Sequence, residues 1–244
     1  VIDELLPACV AAAHTFGDVA DADLLPEELR HMAGAVERRR RSFRTGRHCA
    51  RQALASLGRT ARHPLLPGPH GEPLWPRGVV GSITHCEGYR AAAVAEDRDL
   101  ASLGIDAEPH AALPAGVLRK VMSPHEGGRL ARLFGLHPEV HWDRLLFSAK
   151  EAVYKTWFPL TGTGLGLQDI EVTIAPGLRG SAVGARGATG SGAGAGTGAF
   201  HAHVPRSRIG AGRLSVLRGH WLVRDGLLVT AAIRTREEQT VESW

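Results

Sequence analysis

The pattern of apolar segments in this chain predicts an α+β fold, and three observations carry that expectation. Helical and strand-like segments come in mixed order rather than as a strict strand–helix alternation. The last strand candidates follow one another at hairpin spacing, with Arg224-Asp225-Gly226 as a tight turn between two of them. Hydrophobic residues make up 43% of the 244 positions, enough for a substantial core in one large domain or two modest ones.

The first helix is expected over residues 24–41, opened by Pro26-Glu27-Glu28 and closed by Arg38-Arg39-Arg40-Arg41. Proline and acids suit a first helical turn, where N–H groups lack partners and the helix dipole is positive. A second helix spans 43–57 and stops at Gly58, and residues 63–76, dense in proline and glycine, form a loop. Short apolar runs at 79–84, 91–95 and 103–105 read as strands. Residues 109–114 serve as a connector, and Ser123-Pro124-His125-Glu126 spells a capping box with proline at the first helical position. The longest helix is expected from about 139 to 158, ended by Pro159. Strands follow near 169–174, 200–204, 214–223 and 227–233. The Gly/Ala/Ser-rich stretch 177–198 has too little bulky side chain to offset its ordering cost, which predicts a surface loop.

Composition narrows the class. Three scattered cysteines, Cys9, Cys49 and Cys86, supply neither a disulfide framework nor a CxxC metal site, and reduced thiols are expected. No stretch reaches the roughly 18 to 20 apolar residues of a membrane span. The opening Val1-Ile2-Asp3-Glu4 is acidic where a secretory signal is basic, so a cytoplasmic location is expected. Net charge is +4, from 29 Lys and Arg against 25 Asp and Glu, with arginine dominant. The planar guanidinium fork suits phosphate, so an anionic partner is plausible. Nucleic acid is one such partner, but no aromatic ladder or recognition motif accompanies the bases.

Four segments hold candidate chemistry. In Gly104-Ile105-Asp106-Ala107-Glu108 the two acids point to one face of a strand, where they repel unless a cation intervenes. Hard carboxylate oxygens suit magnesium, although a solvated pair at a strand end has the same spacing. On the helix holding Trp142 to Lys155, Trp142, Leu145, Leu146, Ala149 and Val153 form an apolar stripe, while Glu151 and Lys155 share the opposite side. Phe147, Tyr154 and Phe158 cluster beside Glu151, which implies a second wall or a ligand on that side rather than a plain surface ion pair. Gly81-Ser82-Ile83-Thr84-His85-Cys86 offers hydroxyls and an imidazole able to donate to phosphate, or residues with purely structural duties. The arginine run is either a solvated helix face or an anion site.

The order of these segments resembles 4′-phosphopantetheinyl transferases of the Sfp and enterobactin-synthase type. Arg39–Arg47, Ser82–Cys86, Gly104–Glu108 and Trp142–Lys155 stand where that family has its basic segment, SxTHC strand, GIDxE word and W…KExxYK helix. Gly71-Glu72-Pro73, Trp75-Pro76 and Trp157-Phe158-Pro159-Leu160-Thr161 match as well, so the likeness covers about residues 24–175. It implies a monomer of two similar, pseudo-symmetric α+β halves, 1–110 and 111–244, with coenzyme A in the cleft between them. It further implies magnesium held by Asp106, Glu108 and Glu151, with Glu151 also the base for the serine of an apo acyl, polyketide or peptidyl carrier protein. Lys155 would balance phosphate charge. Arg39, Arg47 and His85 would meet the 3′-phosphoadenosine end, with Thr84 and Lys150 as further phosphate contacts. Neither nucleic acid nor a membrane is a partner on this reading. One departure stands out: the loop Leu66-Pro67-Gly68-Pro69-His70 lacks the lysine that many relatives carry, and His70 is its candidate substitute.

Overall fold

The described residues, 1–60, 63–177, 196–204 and 215–236 of the computed structural model, form an α+β fold with two antiparallel sheets. In the first sheet β1 (Ala11–Phe16), β2 (Val79–Cys86) and β3 (Tyr89–Glu96) pair in the order β1-β3-β2. The central strand β3 is buried along nearly its whole length, so Ala91-Ala92-Ala93-Val94-Ala95 is continuously apolar instead of alternating. Its small side chains admit a close helix. Cys49, Ala50, Ala53 and Leu54 of α2 (Glu37–Ser56) pack against Ala92 and Val94.

Two expectations change here. The helix expected over 24–41 is a short α1 (Pro26–His31) followed by a break, so the basic run opens α2 instead of closing α1. Met32 is anchored in the core while Ala33-Gly34-Ala35 lacks the bulk to extend an apolar stripe, and the chain turns there. Strand β1 has no counterpart among the expected elements. Its Ala-Ala-Ala-His-Thr-Phe sequence has little strand propensity of its own, and pairing with β3 recruits it.

The second sheet contains β4 (Leu100–Pro109), β5 (Glu171–Pro176), β6 (Gly196–His203), β7 (Val216–Arg224) and β8 (Leu227–Thr235), in the order β4-β8-β7-β6-β5. Strand β4 pairs with β8, so hydrogen bonding places it in this sheet although a division of the chain at residue 110 leaves it with the N-terminal half. Two short helices, α3 (Val117–Val121) and α4 (Gly127–Leu136), lead to α5 (Trp142–Thr161), which lies across the sheet. The apolar stripe Trp142, Leu145, Leu146, Ala149 and Val153 is fully buried in that contact. Asp225 and Gly226 both adopt positive φ, +54° and +73°, as a two-residue hairpin turn between β7 and β8 requires.

Three local readings need correction. Helix α5 continues past Pro159, which falls in the last turn, and ends where Gly162 adopts φ +62° and returns its N–H to Phe158 at 2.8 Å. Glu126 accepts the Ser123 N–H at 2.7 Å as a capping box requires, yet the helix starts only at Gly127. Of the Gly-rich stretch, residues 178–195 lie outside the described residues, while 196–198 open β6. Gly198 is there because a Cβ would meet the Ala175 carbonyl at 2.2 Å and the Trp221 indole nitrogen at 2.7 Å.

The two sheets meet along β2 and β4 without a backbone ladder. Side-chain hydroxyls join them: Ser82 accepts the Ile105 N–H at 3.1 Å and Thr84 accepts the Ala107 N–H at 3.0 Å. Hydroxyls two apart on one strand thus satisfy amides two apart on the other.

Behind β4, α5 approaches so closely that a Cβ on Gly104 would lie 2.1 Å from the Ala152 carbonyl. Gly104→Ala is therefore expected to cost about 3 kcal/mol, as overpacking against backbone does. Thermal unfolding measures it, and an unchanged Tm would contradict this close approach.

Candidate active site

Asp106 lies at the junction of β4, β2 and α5, and it is 5% exposed. Its Oδ1 accepts from Lys155 Nζ at 2.7 Å and from the Thr84 hydroxyl at 3.2 Å. Lys155 also donates to the Ile105 carbonyl at 3.1 Å, which fixes the ammonium over the strand. The second oxygen of Asp106, Oδ2, is buried with no hydrogen-bond partner. A buried carboxylate oxygen left without a donor is costly, and a ligand able to reach it relieves that cost.

Two more acids surround this point. Glu151, one helical turn before Lys155, has its carboxyl pushed up, first by burial and further by the Asp106 charge, against the pull of Lys155. Among the described residues no hydrogen bond engages it. Glu108 is also pushed up, by burial and by Asp106, while Arg144 opposes the shift through a 2.7 Å ion pair. Arg144 is held in turn by the carbonyls of Ala111 and Ala112, at 3.0 and 2.8 Å. The acids of β4 and α5 are thus brought into mutual electrostatic range.

A cavity opens on each side of this group. One, of about 470 Å³, is lined by Glu151 and Lys155 together with Trp75, Tyr154, Phe158 and His70. Tyr154 stacks on Phe158 at 5.9 Å, and His70 lies 4.8 Å from Phe158 across the cleft. The aromatics noted beside Glu151 therefore face a second wall, except Phe147, which does not line this cavity. The other cavity, of about 1180 Å³, is basic, with Arg38, Arg39, Arg41, Arg47, His85 and Arg144 on its walls and Glu108 among them. Gly71, Pro73 and Ile83 line both cavities. Asp106 opens on neither directly; it lies beneath Lys155.

The expected site residues divide accordingly. Arg39 is exposed at the basic cavity, and Arg47 is almost buried there, stacked over the Phe43 ring at 4.0 Å. His85 sits at the rim, with its imidazole pKa lowered by burial and by the nearby cations Lys155 and Arg90. Two residues are placed differently from the expectation. Lys150 is fully buried, donating to the Val121 carbonyl at 2.8 Å and to Glu126 at 2.6 Å, because its position on α5 points away from both cavities. It ties α5 to the turn before α4 and lines neither cavity. Thr84 is likewise buried, with its hydroxyl committed to Asp106 and the Ala107 amide. Arg144 was not anticipated, because an arginine on a helix surface has no sequence mark that separates a latch from a solvated charge.

The hard carboxylate oxygens of this group suit a divalent cation by their chemistry. Asp106 Oδ2 has no partner and Glu151 is unengaged, whereas Glu108 is already paired. Among the described residues no three His, Cys, Asp or Glu side chains are grouped so as to hold a metal ion, so the expected three-carboxylate set of Asp106, Glu108 and Glu151 is not assembled. Magnesium commonly takes one or two carboxylates and completes its shell with water and phosphate oxygens, so a set of three is not required.

A raised carboxyl pKa has a stability consequence. The stabilising contribution of a neutral Glu151 is present below its unfolded pKa and is lost as pH rises through the folded one. Glu151→Gln is therefore expected to raise the metal-free Tm at pH 8, with the gain shrinking as pH falls through the carboxylate range. A variant less stable than wild type at pH 8 would contradict this.

Comparison with known proteins matches the chain to one family. The profile of the 4′-phosphopantetheinyl transferase N-terminal domain matches residues 27–95, and that of the 4′-phosphopantetheinyl transferase superfamily matches residues 102–213. The chain is 47% identical over 236 residues to 4′-phosphopantetheinyl transferase Svp of Streptomyces mobaraensis, covering 95% of this chain and 88% of that protein. It is 44% identical to Npt of Nocardia iowensis, over 95% of this chain and 98% of that protein. Against PptT of Mycobacterium tuberculosis identity is 42%, over 93% of this chain and 97% of the relative. The first profile covers α2, β2 and most of β3, the second covers most of β4 and α3 to β6, and the chain belongs to the 4′-phosphopantetheinyl transferase superfamily as a transferase of that type.

Proposed function

We propose that the protein transfers the 4′-phosphopantetheine arm of coenzyme A to a serine of apo acyl, polyketide or peptidyl carrier proteins, in a magnesium-dependent reaction that releases 3′,5′-ADP. The observation that carries this reading is the unpartnered Asp106 oxygen beside Lys155 and Glu151, flanked by one apolar and one basic cavity. Coenzyme A has the matching polarity: an uncharged arm on one side of its diphosphate and a phosphorylated nucleoside on the other. The arm suits the cavity walled by Trp75, Tyr154 and Phe158, and the 3′-phosphoadenosine end suits the cavity of Arg39, Arg47 and His85. These cations converge on a cavity rather than an open stripe, which favours a compact anion over nucleic acid.

Asp106 and Glu151 would hold the divalent ion, with Glu108 able to join only on release from Arg144. When bound, such an ion neutralises the diphosphate and polarises the phosphorus under attack. Glu151, unengaged and with a raised pKa, would take the proton from the carrier serine as its oxygen bonds to the pantetheine-side phosphorus. Lys155 would balance the charge that gathers on 3′,5′-ADP as the bridging P–O bond breaks. His70, the candidate substitute for the loop lysine, lines the arm cavity and not the basic cavity where the 3′-phosphate would sit. A cytoplasmic monomer completes this reading, and the three free cysteines accord with a reducing compartment.

Incubation with coenzyme A, magnesium and a panel of apo carriers, followed by intact mass, tests the assignment. Asp106→Ala and Glu151→Ala are each expected to lower transfer by about a thousandfold or more with the fold retained, the scale of losing metal or base function. Normal turnover of either variant would overturn the site. Arg47→Ala is expected to raise the Michaelis constant for coenzyme A at least about tenfold, the cost of a lost charge-assisted contact, with a smaller change in kcat. An unchanged Michaelis constant would remove Arg47 from the donor site.

A further inference from the structure

Arg47 is held in an uncommon way. It is only 7% exposed, yet the single hydrogen bond it makes among the described residues runs from Nε to the Leu65 carbonyl, at 2.6 Å. Its remaining N–H groups are left for the basic cavity it lines. Burial lowers its pKa to about 10, and the foremost opposing influence is the charge of Glu28, with Arg51 acting in the other direction.

Glu28, on α1, is completely buried and lines neither of the two cavities. Its Oε1 accepts the Leu65 N–H at 2.8 Å; its Oε2 accepts the Leu25 N–H at 2.9 Å and pairs with Arg51. Capping α1 needs only the Leu25 contact. The remaining contacts serve something else. Leu65 is gripped at both ends, its N–H by Glu28 and its carbonyl by Arg47. From there the chain enters a small self-bonded hairpin, with Leu74 N–H to the Leu66 carbonyl at 2.9 Å and Gly68 N–H to the Glu72 carbonyl at 2.7 Å. Gly71 and Pro73 of that hairpin line both cavities.

We propose that Glu28 is a positioning residue for the donor: through Leu65 it fixes Arg47 and the adjoining hairpin, and so sets the preference of the basic cavity for a nucleotide bearing a 3′-phosphate. The inference rests on reading that cavity as the 3′-phosphoadenosine site. Glu28 itself touches no ligand. Replacing its charge removes the anion that favours the guanidinium and loosens the one bond that aims it, which weakens recognition of the phosphate facing Arg47 and spares the rest of the nucleotide.

Isothermal titration of the full chain with 3′,5′-ADP and with 5′-AMP tests this. Wild type is expected to bind 3′,5′-ADP at least about tenfold more tightly than 5′-AMP, the scale of one charge-assisted phosphate contact. Glu28→Gln is expected to weaken 3′,5′-ADP about tenfold while 5′-AMP stays within about twofold. An unchanged ratio, whether both nucleotides weaken equally or neither does, would overturn the proposal. A wild type without preference would overturn the cavity reading and the inference with it. If Glu28→Gln does not fold, Glu28→Asp carries the test, since it keeps the charge but is too short to reach Leu25 and Leu65 together. A fall of about threefold in the ratio is then expected, and a wild-type ratio refutes the proposal.

Discussion

Two sheets of different size are locked together here by hydroxyl groups rather than by a continuous ladder. Ser82 and Thr84 each accept a β4 amide, and the Thr84 hydroxyl also reaches Asp106. This seam fixes how β4 faces β2, and with it where the acids of β4 point. Gly104 then lets α5 settle against the back of the strand, which brings Lys155 over Asp106 and Glu151 beside it. Removing either feature would leave the same residues in the chain and no site in space.

The cost of the arrangement is electrostatic. Burial pushes the carboxyls of Glu108 and Glu151 up and the Asp106 charge pushes each further, while Arg144 and Lys155 offset only part of it. A buried oxygen without a partner adds to the strain. Such clusters persist where the protein meets a cation or a developing charge, and the residual repulsion is the driving force for recruiting one. The stability of this region and its chemistry therefore pull in opposite directions.

Much of this was legible in the sequence, and the parts that were not have identifiable causes. Period-3.6 spacing gave the buried stripe of α5, and Asp225-Gly226 gave the terminal hairpin, because both patterns have one dominant structural outcome. Asp106, Glu151 and Lys155 could be singled out as a group only through their motif order, since D-x-E and an i,i+4 pair are individually common. Thr84 and Lys150 were misplaced for opposite reasons. A strand hydroxyl can serve phosphate or a neighbouring amide equally well, and a lysine beside a candidate acid lies 100° away from it on the helix, facing the core. Glu28 left no sequence trace beyond a first-turn acid, because its partners Leu65 and Arg51 lie far along the chain. Strand β1 was invisible because tertiary pairing overrode its alanine-rich composition.

The central claim is that Asp106 and Glu151 share one divalent ion against the donor's diphosphate. Crystals grown with coenzyme A and manganese, measured at the manganese absorption edge, address it directly. An anomalous peak in coordination contact with Asp106 Oδ2 and the Glu151 carboxylate, bridged to phosphate oxygens, is the expected result. Clear density for coenzyme A with no peak there, or with the metal bound elsewhere, would contradict the account.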